Sequence, residues 1–223
     1  MNLRQVIAMT LDASTEDGGW VALECFQKSG LRAQVFDLRD GGGLAFESFI
    51  QAGKIAGVLD YTLTDLADTR LGGRDPSGPD RLTSAGVLGI PQLIVPGGLD
   101  HATFASPAPE AFTQNLQHHP DELTTLVRTT AEDNDSFGKE IAYKASVSLG
   151  KVTIVFPRGG LSRWDGQDRP LDEPFANQAL LESMYQWKTP QVKIIESHRH
   201  INDPHFASIA AEHLLKLIAE TVR

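Results

Sequence analysis

Cysteine is nearly absent from this sequence of 223 residues, and long hydrophobic runs are missing. The single cysteine, Cys25, cannot form an internal disulfide, and it excludes a cysteine-rich zinc site. No apolar segment approaches the roughly 20 residues that a membrane-spanning helix requires, and the first residues show no signal peptide. The sequence therefore predicts a reduced, soluble protein of the cytoplasm with no membrane partner.

Positive charge is scarce as well. Lys and Arg together number 20 against 29 Asp and Glu, which gives a formal net charge of -9. Proteins that bind nucleic acids normally concentrate Lys and Arg on one face, and the sequence contains no such cluster. The composition therefore argues against a nucleic-acid partner. A hydrophobic content of 41% is ordinary for a globular domain.

Short apolar runs alternate with helical patterns along the whole chain. This alternation predicts one α/β domain over residues 1–223, with parallel strands joined by covering helices in a three-layer, doubly wound, Rossmann-like sheet. A TIM-barrel-like closed sheet is the alternative, although it requires eight strands. The predicted strands are residues 6–11, 33–38, 55–59, 93–95, 123–127, 152–156 and 192–195.

Three segments lack clear periodicity and are predicted to be mainly loops. They cover residues 64–80, 101–123 and 161–173. Long loops in compact domains are more often functional than idle, so we expect the second and third segments to lie over a site.

The strand at residues 93–95 is the centre of the prediction. It is apolar enough to be buried on both faces of the sheet, and Pro96 with two glycines ends it. Asp100 and His101 follow at once. Because ligands of open α/β sheets bind beyond the carboxyl ends of the strands, this carboxylate is predicted to face a site.

Other strands end in polar or glycine-rich turns at the same edge of the sheet. Glycine turns beside helix starts expose backbone N–H groups that can bind phosphate or carboxylate, although a tight turn can also be purely structural. No P-loop and no GxGxxG motif is present in the sequence. We therefore predict a small phosphorylated or carboxylated ligand. Its predicted binding residues are Gly41, Gly42, Gly43, Asp60, Thr62, Gly97, Gly98, Asp100, Arg128, Thr129, Arg158, Gly159, Gly160, Ser162, His200, Asn202 and Asp203.

A second hypothesis is an enzyme. Asp60, Asp100, His200 and Asp203 have the chemistry of metal ligands or proton-transfer groups, which would give a metal-assisted hydrolase or lyase. Alternatively, Asp203 only caps the last helix, and the other two carboxylates anchor loops. Ser162 lies outside a Gly-x-Ser-x-Gly frame, so it is not predicted to be a nucleophile. A third hypothesis is a protein that works only by binding a partner.

Six sequence blocks occur in a characteristic order: residues 57–68, 77–82, 90–92, 96–100, 128–130 and 200–204. Together they resemble the Tm-one-like ATP-binding family, a largely uncharacterised family that includes a tomato inhibitor of tobamovirus RNA replication. The resemblance covers essentially the whole chain but only the second half of the family's two-half polypeptide. It implies a Rossmann-like half, a nucleotide or nucleotide-like ligand, and ATP with magnesium as cofactor. It also implies a partner in place of the first half, either a second copy of this chain or a separate polypeptide.

Overall fold

The computed structural model describes residues 6–221. In chain order its strands and helices are β1 (Val6–Leu11), α1 (Glu16–Lys28), β2 (Arg32–Asp37), α2 (Gly42–Gln51), β3 (Gly57–Thr62), α3 (Thr64–Leu71), α4 (Ser84–Val87), β4 (Gln92–Gly97), β5 (His101–Ala105), β6 (Gln117–Asp121), β7 (Thr124–Arg128), α5 (Ala131–Ser146), β8 (Val152–Pro157), α6 (Pro174–Trp187), β9 (Lys193–Ser197) and α7 (Pro204–Thr221). Within this part of the chain, no helix is both long and apolar enough to cross a membrane.

Six strands form one parallel sheet in the order β2-β1-β3-β4-β8-β9. Helices cover both faces, so the predicted three-layer, Rossmann-like architecture is confirmed. The sheet is open, with β2 and β9 at its edges, and the alternative of a closed barrel is therefore wrong.

The strands at the centre of the sheet are buried on both faces, which explains their continuous apolar sequences. Leu93 and Val95 of β4 pack with residues of α1 and α7 on one side. Ile94 packs on the other side with residues of α3, α5 and α6. Helix α2 packs on the same side of the sheet as Ile94, over small apolar residues of β1 and β3. Its Phe46 and Ile50 are buried there.

The order of the strands reverses at β1. From β1 the chain passes to β2 on one side, and it then returns to β3 on the other side of β1. The helices leaving two such strands diverge to opposite faces of the sheet, which opens a crevice beyond the strands' carboxyl ends. The crevice between β1 and β3 is therefore the place where this topology favours a ligand.

The segment over residues 101–128 is a second sheet. Strands β5, β7 and β6 pair antiparallel in that order, so the loop predicted over residues 101–123 is wrong where β5 and β6 form. The strand predicted over residues 123–127 is present, but it joins this small sheet. Strand β6 carries little sequence signal, because its residues Gln117–Asp121 are mostly polar and are half-buried or exposed.

Two predicted boundaries also change. The first half of the predicted loop at residues 64–80 is helix α3, whose Leu66 and Ala67 are buried. Strand β3 continues to Thr62, so Asp60 lies inside the strand and not at its end. A one-residue bulge in β4 opposite β3 accommodates Pro96, which has no N–H for a ladder bond.

Candidate functional site

A cavity of about 220 Å³ lies at the β1/β3 crevice, beneath the small sheet. The ends of β1, β2 and β3 form its floor, strands β5 to β7 form one wall, and the loop after β8 adds Trp164. Its chemically distinctive lining residues are Asp12, Ser14, Arg39, Thr64, Arg74 and His101.

His101 is the titratable group best placed for chemistry in this cavity. Its Nδ1 lies 2.9 Å from Asp100 Oδ2, and Ser162 Oγ donates to the same oxygen at 2.7 Å. The imidazole Nε2 makes no hydrogen bond within residues 6–221, although the ring lines the cavity. A carboxylate can only accept, so Nδ1 carries the proton that bonds Asp100. Nε2 is therefore the atom available to a ligand.

Burial and charge act against each other in the Asp100–His101 pair. Burial alone raises the pKa of Asp100, but the His101 charge and hydrogen bond, Arg128 and Ser162 outweigh it, so the pKa is lowered. Burial alone lowers the pKa of His101, but the Asp100 charge and hydrogen bond raise it overall. Asp100 is 0% and His101 2% exposed. Each of the two buried groups therefore stabilises the charged form of the other.

Trp164 covers the imidazole. Its ring centroid is 5.2 Å from that of His101 at an interplanar angle of 84°, an edge-to-face contact. The loop carrying Trp164 is fixed on both sides, because Arg163 N donates to Ser14 O at 2.8 Å and Leu171 N donates to Trp164 O at 2.9 Å. Of residues 161–173, which were predicted to lie over a site, Trp164 lines this cavity.

Asp12 organises the floor of the cavity. One carboxylate oxygen accepts from Ser14 N at 2.8 Å, and the other accepts from Thr64 Oγ1 at 2.7 Å. These bonds join the turn after β1 to the start of α3, across the crevice. The hydroxyls of Ser14 and Thr64 are thereby oriented at the edge of the ligand space.

Asp68 of helix α3 bonds to two neighbouring segments of the cavity wall. It accepts from Thr103 N at 2.6 Å and from Asp75 N at 2.9 Å, which ties helix α3 to β5 and to the loop that carries Arg74. Burial raises the pKa of Asp68 to about 6, against the lowering effect of these backbone bonds. The sequence offered no clear signal for Asp68, because it falls in the segment predicted to be mainly loop.

None of the predicted binding residues is among those that line the cavity. Asp100 and Ser162 lie directly behind His101 and orient it. Arg128 is also behind the site: its guanidinium donates to Asp100 O and Leu171 O, both at 2.9 Å, and to Asn177 Oδ1 at 2.7 Å. Thr129 Oγ1 donates to Leu99 O at 2.7 Å. Both residues stabilise the turn that presents His101.

No hydrogen bond within residues 6–221 joins the side chains of the predicted catalytic candidates Asp60, Asp100, His200 and Asp203 to one another. Asp60 is paired with the buried Arg81 and accepts from Gln92 Nε2 at 2.6 Å. Asp203 caps α7, accepting from His205 N at 2.7 Å. In the part of the chain that the structure describes, no three His, Cys, Asp or Glu residues are arranged to bind a metal.

His200 and Asn202 support the site from outside. The Nε2 of His200 donates to Ser162 O at 2.9 Å, and its Nδ1 accepts from Asn202 N at 3.0 Å, so the ring is held neutral in one tautomer. Burial lowers the pKa of His200 in agreement with this. Asn202 bridges Gly18 N and Ser14 O, at 3.1 and 3.0 Å.

Most of the predicted glycines serve close packing. A side chain at Gly42 would clash with Asp37 O, one at Gly97 with Tyr61 O, and one at Gly159 with the backbone of Arg199 and His200. Gly43, Gly98 and Gly160 are similarly crowded by Asp65, Thr64 and Asp165, whereas the space at Gly41 is open.

Arg158 lies outside the cavity, because it lines a separate recess beyond β8 together with Gly159 and Gly160. Arg158 itself is paired with Glu196, and Thr62 is buried, its carbonyl accepting from Arg81 at 3.1 Å.

Comparison with known proteins gives the family. The profile of the C-terminal domain of uncharacterised protein family UPF0261 matches residues 4–218. The chain belongs to this family. A UPF0261 protein of Clostridium tetani is 32% identical over 218 residues, which are 96% of this chain and 54% of the relative. The chain thus spans about half the length of that relative.

More distant relatives include plant and bacterial proteins. The ToMV resistance protein Tm-1(GCR237) of Solanum lycopersicum is 30% identical over 169 residues, 73% of this chain and 22% of that protein. A UPF0261 protein of Brucella melitensis is also 30% identical, over 74% of this chain and 40% of its own length. The resemblance to the second half of the Tm-one-like family is thereby confirmed.

Proposed function

We propose that this UPF0261 domain binds a small molecule bearing a carboxylate or phosphate in the β1/β3 cavity, and that His101 exchanges a proton with it. The observation that supports the proposal is the buried Asp100–His101 pair, with Nε2 of the imidazole left to the cavity. Buried charge pairs at the switch point of an α/β sheet are typical of functional sites.

The pair suits general acid–base catalysis. Asp100 fixes the tautomer and orientation of the ring, so that Nε2 of neutral His101 can take a proton from a ligand C–H or O–H group. The resulting imidazolium is stabilised by the carboxylate, and the negative charge stays on the ligand. Donation from the imidazolium reverses the step. A correctly placed acid or base contributes roughly 10²–10⁴-fold to a rate.

The cavity lining supports a small anionic ligand with further polar groups. The lining holds two guanidinium groups, Arg39 paired with Asp37 and Arg74 paired with Asp75, which can bind the anionic group of the ligand. Ser14, Thr64 and the carboxylates of the lining offer donors and acceptors for its hydroxyl groups; these carboxylates are Asp12, Asp68, Asp75 and Asp121. The volume of about 220 Å³ is below the roughly 300–1,000 Å³ of most drug-sized ligand sites. The ligand we propose is therefore smaller than a nucleotide.

ATP with magnesium, which the family resemblance implies, fits this cavity poorly. A triphosphate is normally cradled by glycine turns with open backbone N–H groups. Here a side chain at Gly42, Gly43, Gly97 or Gly98 would clash with protein atoms, and Gly98 N already donates to Leu161 O at 2.8 Å. Because the resemblance implies ATP for the two-half family, ATP belongs in any binding test.

Thermal unfolding against a ligand panel tests the binding. The panel contains small hydroxy acids, keto acids and sugar phosphates, with ATP–magnesium alongside. A ligand at 100 times its Kd adds about 2.7 kcal/mol, which raises Tm by roughly 5–10 °C for a domain of this size. We expect such a shift with a small acid, and we expect Arg74→Ala to abolish it because Arg74 lines the cavity.

Arg158→Ala is the matched control, since Arg158 also pairs with a carboxylate near a strand end but lies outside the cavity. A shift lost in Arg158→Ala and kept in Arg74→Ala would place the ligand in the other recess. A complete lack of response to the panel would instead indicate that a second polypeptide, or a second copy of this chain, must complete the site.

Hydrogen exchange tests the chemistry. For a ligand that shifts Tm and has an acidic C–H group, we expect NMR to show exchange with deuterium in the presence of the protein. His101→Gln keeps a polar group in the cavity but removes the base, so exchange should fall by at least about 10²-fold. Exchange that persists in His101→Gln would exclude His101 as the base.

A further inference from the structure

The β1/β3 cavity has an apolar side as well as a polar one. Pro120 and Leu126 of the small sheet and Trp164 of the loop after β8 line it together with His101. The acid–base step proposed for His101 makes no use of these apolar side chains. Their position beside the imidazole therefore bears on which ligand the cavity accepts.

Leu126 faces the cavity because side chains alternate along a strand. Its neighbour Val127 and the β5 residue Phe104 pack in the main core, on the opposite face of the small sheet. Thr103 pairs with Leu126 across the two strands and lines the cavity with it. His101 precedes Thr103 by two residues on the same face. Leu126 is thus its diagonal neighbour, a relation in which long side chains are within reach of each other.

Trp164 forms a second apolar surface at the imidazole. Its ring contacts that of His101 edge to face, with centroids 5.2 Å apart, and lies 6.4 Å from the ring of His118 on β6. The guanidinium of Arg163 lies 6.0 Å over the indole and pairs with Glu16 of α1 at 3.0 Å. These contacts fix the indole as part of the cavity wall, so little conformational entropy is lost when a ligand packs on it.

A cation for the acid group of the ligand lies along the same strand. Arg74 N donates to Thr103 O at 2.8 Å, and the Arg74 side chain lines the cavity. Arg74 is thereby held beside β5, two residues from His101. A small acid that binds Arg74 and reaches Nε2 of His101 has its remaining substituent close to Trp164 and Leu126.

We propose that Trp164 and Leu126 are specificity-determining residues, and that the ligand is a small acid with an apolar side group next to the atom that exchanges a proton with His101. The inference rests on the proposed function, since it names the class of acid that binds in the same cavity. A hydroxyl group at that position would exchange its hydration for contact with side chains that are almost wholly apolar. Acids with a short alkyl group are therefore preferred over sugar acids and sugar phosphates.

Binding of matched pairs of acids tests the preference. The compounds α-ketobutyrate and hydroxypyruvate share one head group and differ only in a methyl against a hydroxyl group. The same exchange distinguishes α-hydroxybutyrate from glycerate, and propyl phosphate from hydroxyethyl phosphate. From Tm shifts over a concentration series, we expect the methyl member to bind about tenfold more tightly, or better, in each pair that binds.

Trp164→Ala removes the larger apolar surface. We expect the preference within a pair to fall to about fourfold or less, because the methyl member loses its contact with the indole and keeps only Leu126. Trp187→Ala is the matched control. Trp187 of α6 is likewise packed against a cation, Lys139 at 4.2 Å, but it does not line the cavity, so this variant should keep the full preference.

NMR of the wild-type protein gives a second test that does not depend on the folding of a variant. We expect nuclear Overhauser effects between the methyl group of the bound acid and the indole protons of Trp164, which are assigned by their loss in Trp164→Phe.

The outcomes separate this inference from the proposed function. Equal binding within a pair, tighter binding of the hydroxyl member, or a preference that survives unchanged in Trp164→Ala would overturn the inference and leave the binding of an acid intact. A lack of response to all of these acids would contradict binding by this chain itself, and the inference with it.

Discussion

Replacing Arg81 by alanine should lower the free energy of unfolding by about 3–5 kcal/mol, the largest loss we expect from one substitution. Arg81 is completely buried, and its guanidinium pairs with Asp60, with Asp65 at 2.8 Å and with Glu47 at 3.5 Å. Without it, three buried carboxyl groups would lie together with no positive charge. Removing one member of a buried ion cluster lowers the free energy of unfolding by more than the intact cluster contributes to it. The reason is that the remaining charges stay buried with neither water nor an opposite charge beside them.

Further hydrogen bonds fix the members of the Arg81 cluster in place. Glu47 also accepts from Leu82 N at 2.8 Å and Ser84 N at 3.3 Å, and Lys144 donates to Arg81 O at 2.8 Å. These bonds join α2, β3, α3 and α5 through the loop that contains Arg81. Burial raises the pKa of Glu47 and of Asp65, although Arg81 opposes this for both.

Urea unfolding at pH 7, followed by circular dichroism, measures the effect of Arg81→Ala. The matched control is Arg158→Ala, which breaks the half-exposed pair with Glu196 and should cost under about 1 kcal/mol. Adding Glu47→Gln and Asp65→Asn to Arg81→Ala should recover part of the loss, because fewer uncompensated charges remain. A loss for Arg81→Ala no greater than that of the control would mean that water reaches the carboxylates and that the cluster is dispensable.

The strands of the main sheet could be predicted because they are buried on both faces and are therefore uniformly apolar. Every predicted strand exists, and only that at residues 123–127 lies outside the main sheet. Strand β6 could not be found this way: its residues are mostly polar, and antiparallel pairing with the adjacent strand β7 stabilises it. Pairing of that kind leaves no periodic signal in the sequence.

The site was harder to predict than the fold for a related reason. Sequence reasoning indicated the edge of the sheet where the β1/β3 cavity lies and the turn at Asp100. It could not tell a side chain that lines the cavity from one that supports it. Arg128 has the chemistry of a ligand-binding residue, yet its donors are used by backbone carbonyls and Asn177. Asp60 was misplaced because β3 extends three residues beyond the predicted end.

The residues that line the cavity lay in segments with weak patterns. Arg39 lies in a single 3₁₀ turn of helix after β2, and Arg74 and Trp164 lie in loops. Thr64 and Asp68 belong to a helix with little apolar periodicity. Their proximity depends on the crossing connections at β1, which bring together residues more than 100 positions apart. Only the three-dimensional structure shows that they share one space with His101.

Asp100→Asn should have the second-largest effect, and that effect should depend on pH. The substitution keeps an oxygen that can accept from His101 Nδ1 and Ser162 Oγ, but it removes the charge that stabilises the imidazolium. We expect a loss of roughly 2–4 kcal/mol of unfolding free energy at pH 5.5, where the buried His101 of the variant must either stay charged without a partner or release its proton.

The pH dependence follows from the two pKa shifts. The folded pKa of Asp100 is lowered, so its contribution is present above its unfolded value and is lost as the pH falls through the folded value. The folded pKa of His101 is raised, so its contribution is complete below its unfolded value, about 6.5, and is lost as the pH rises through the folded value. Both contributions coexist between about pH 4 and 6.5, where the variant should differ most from the wild type.

At higher pH the difference between the proteins should narrow. Neutral His101 no longer needs an anion, and the variant also relieves Asp165 of the Asp100 charge that raises its pKa. Urea unfolding at pH 5.5, 7 and 8.5 measures the trend, with Ser162→Ala as the control that removes one hydrogen bond to Asp100 but no charge. A difference that stays constant from pH 5.5 to 8.5 would show that packing at residue 100, and not the ion pair with His101, determines the loss.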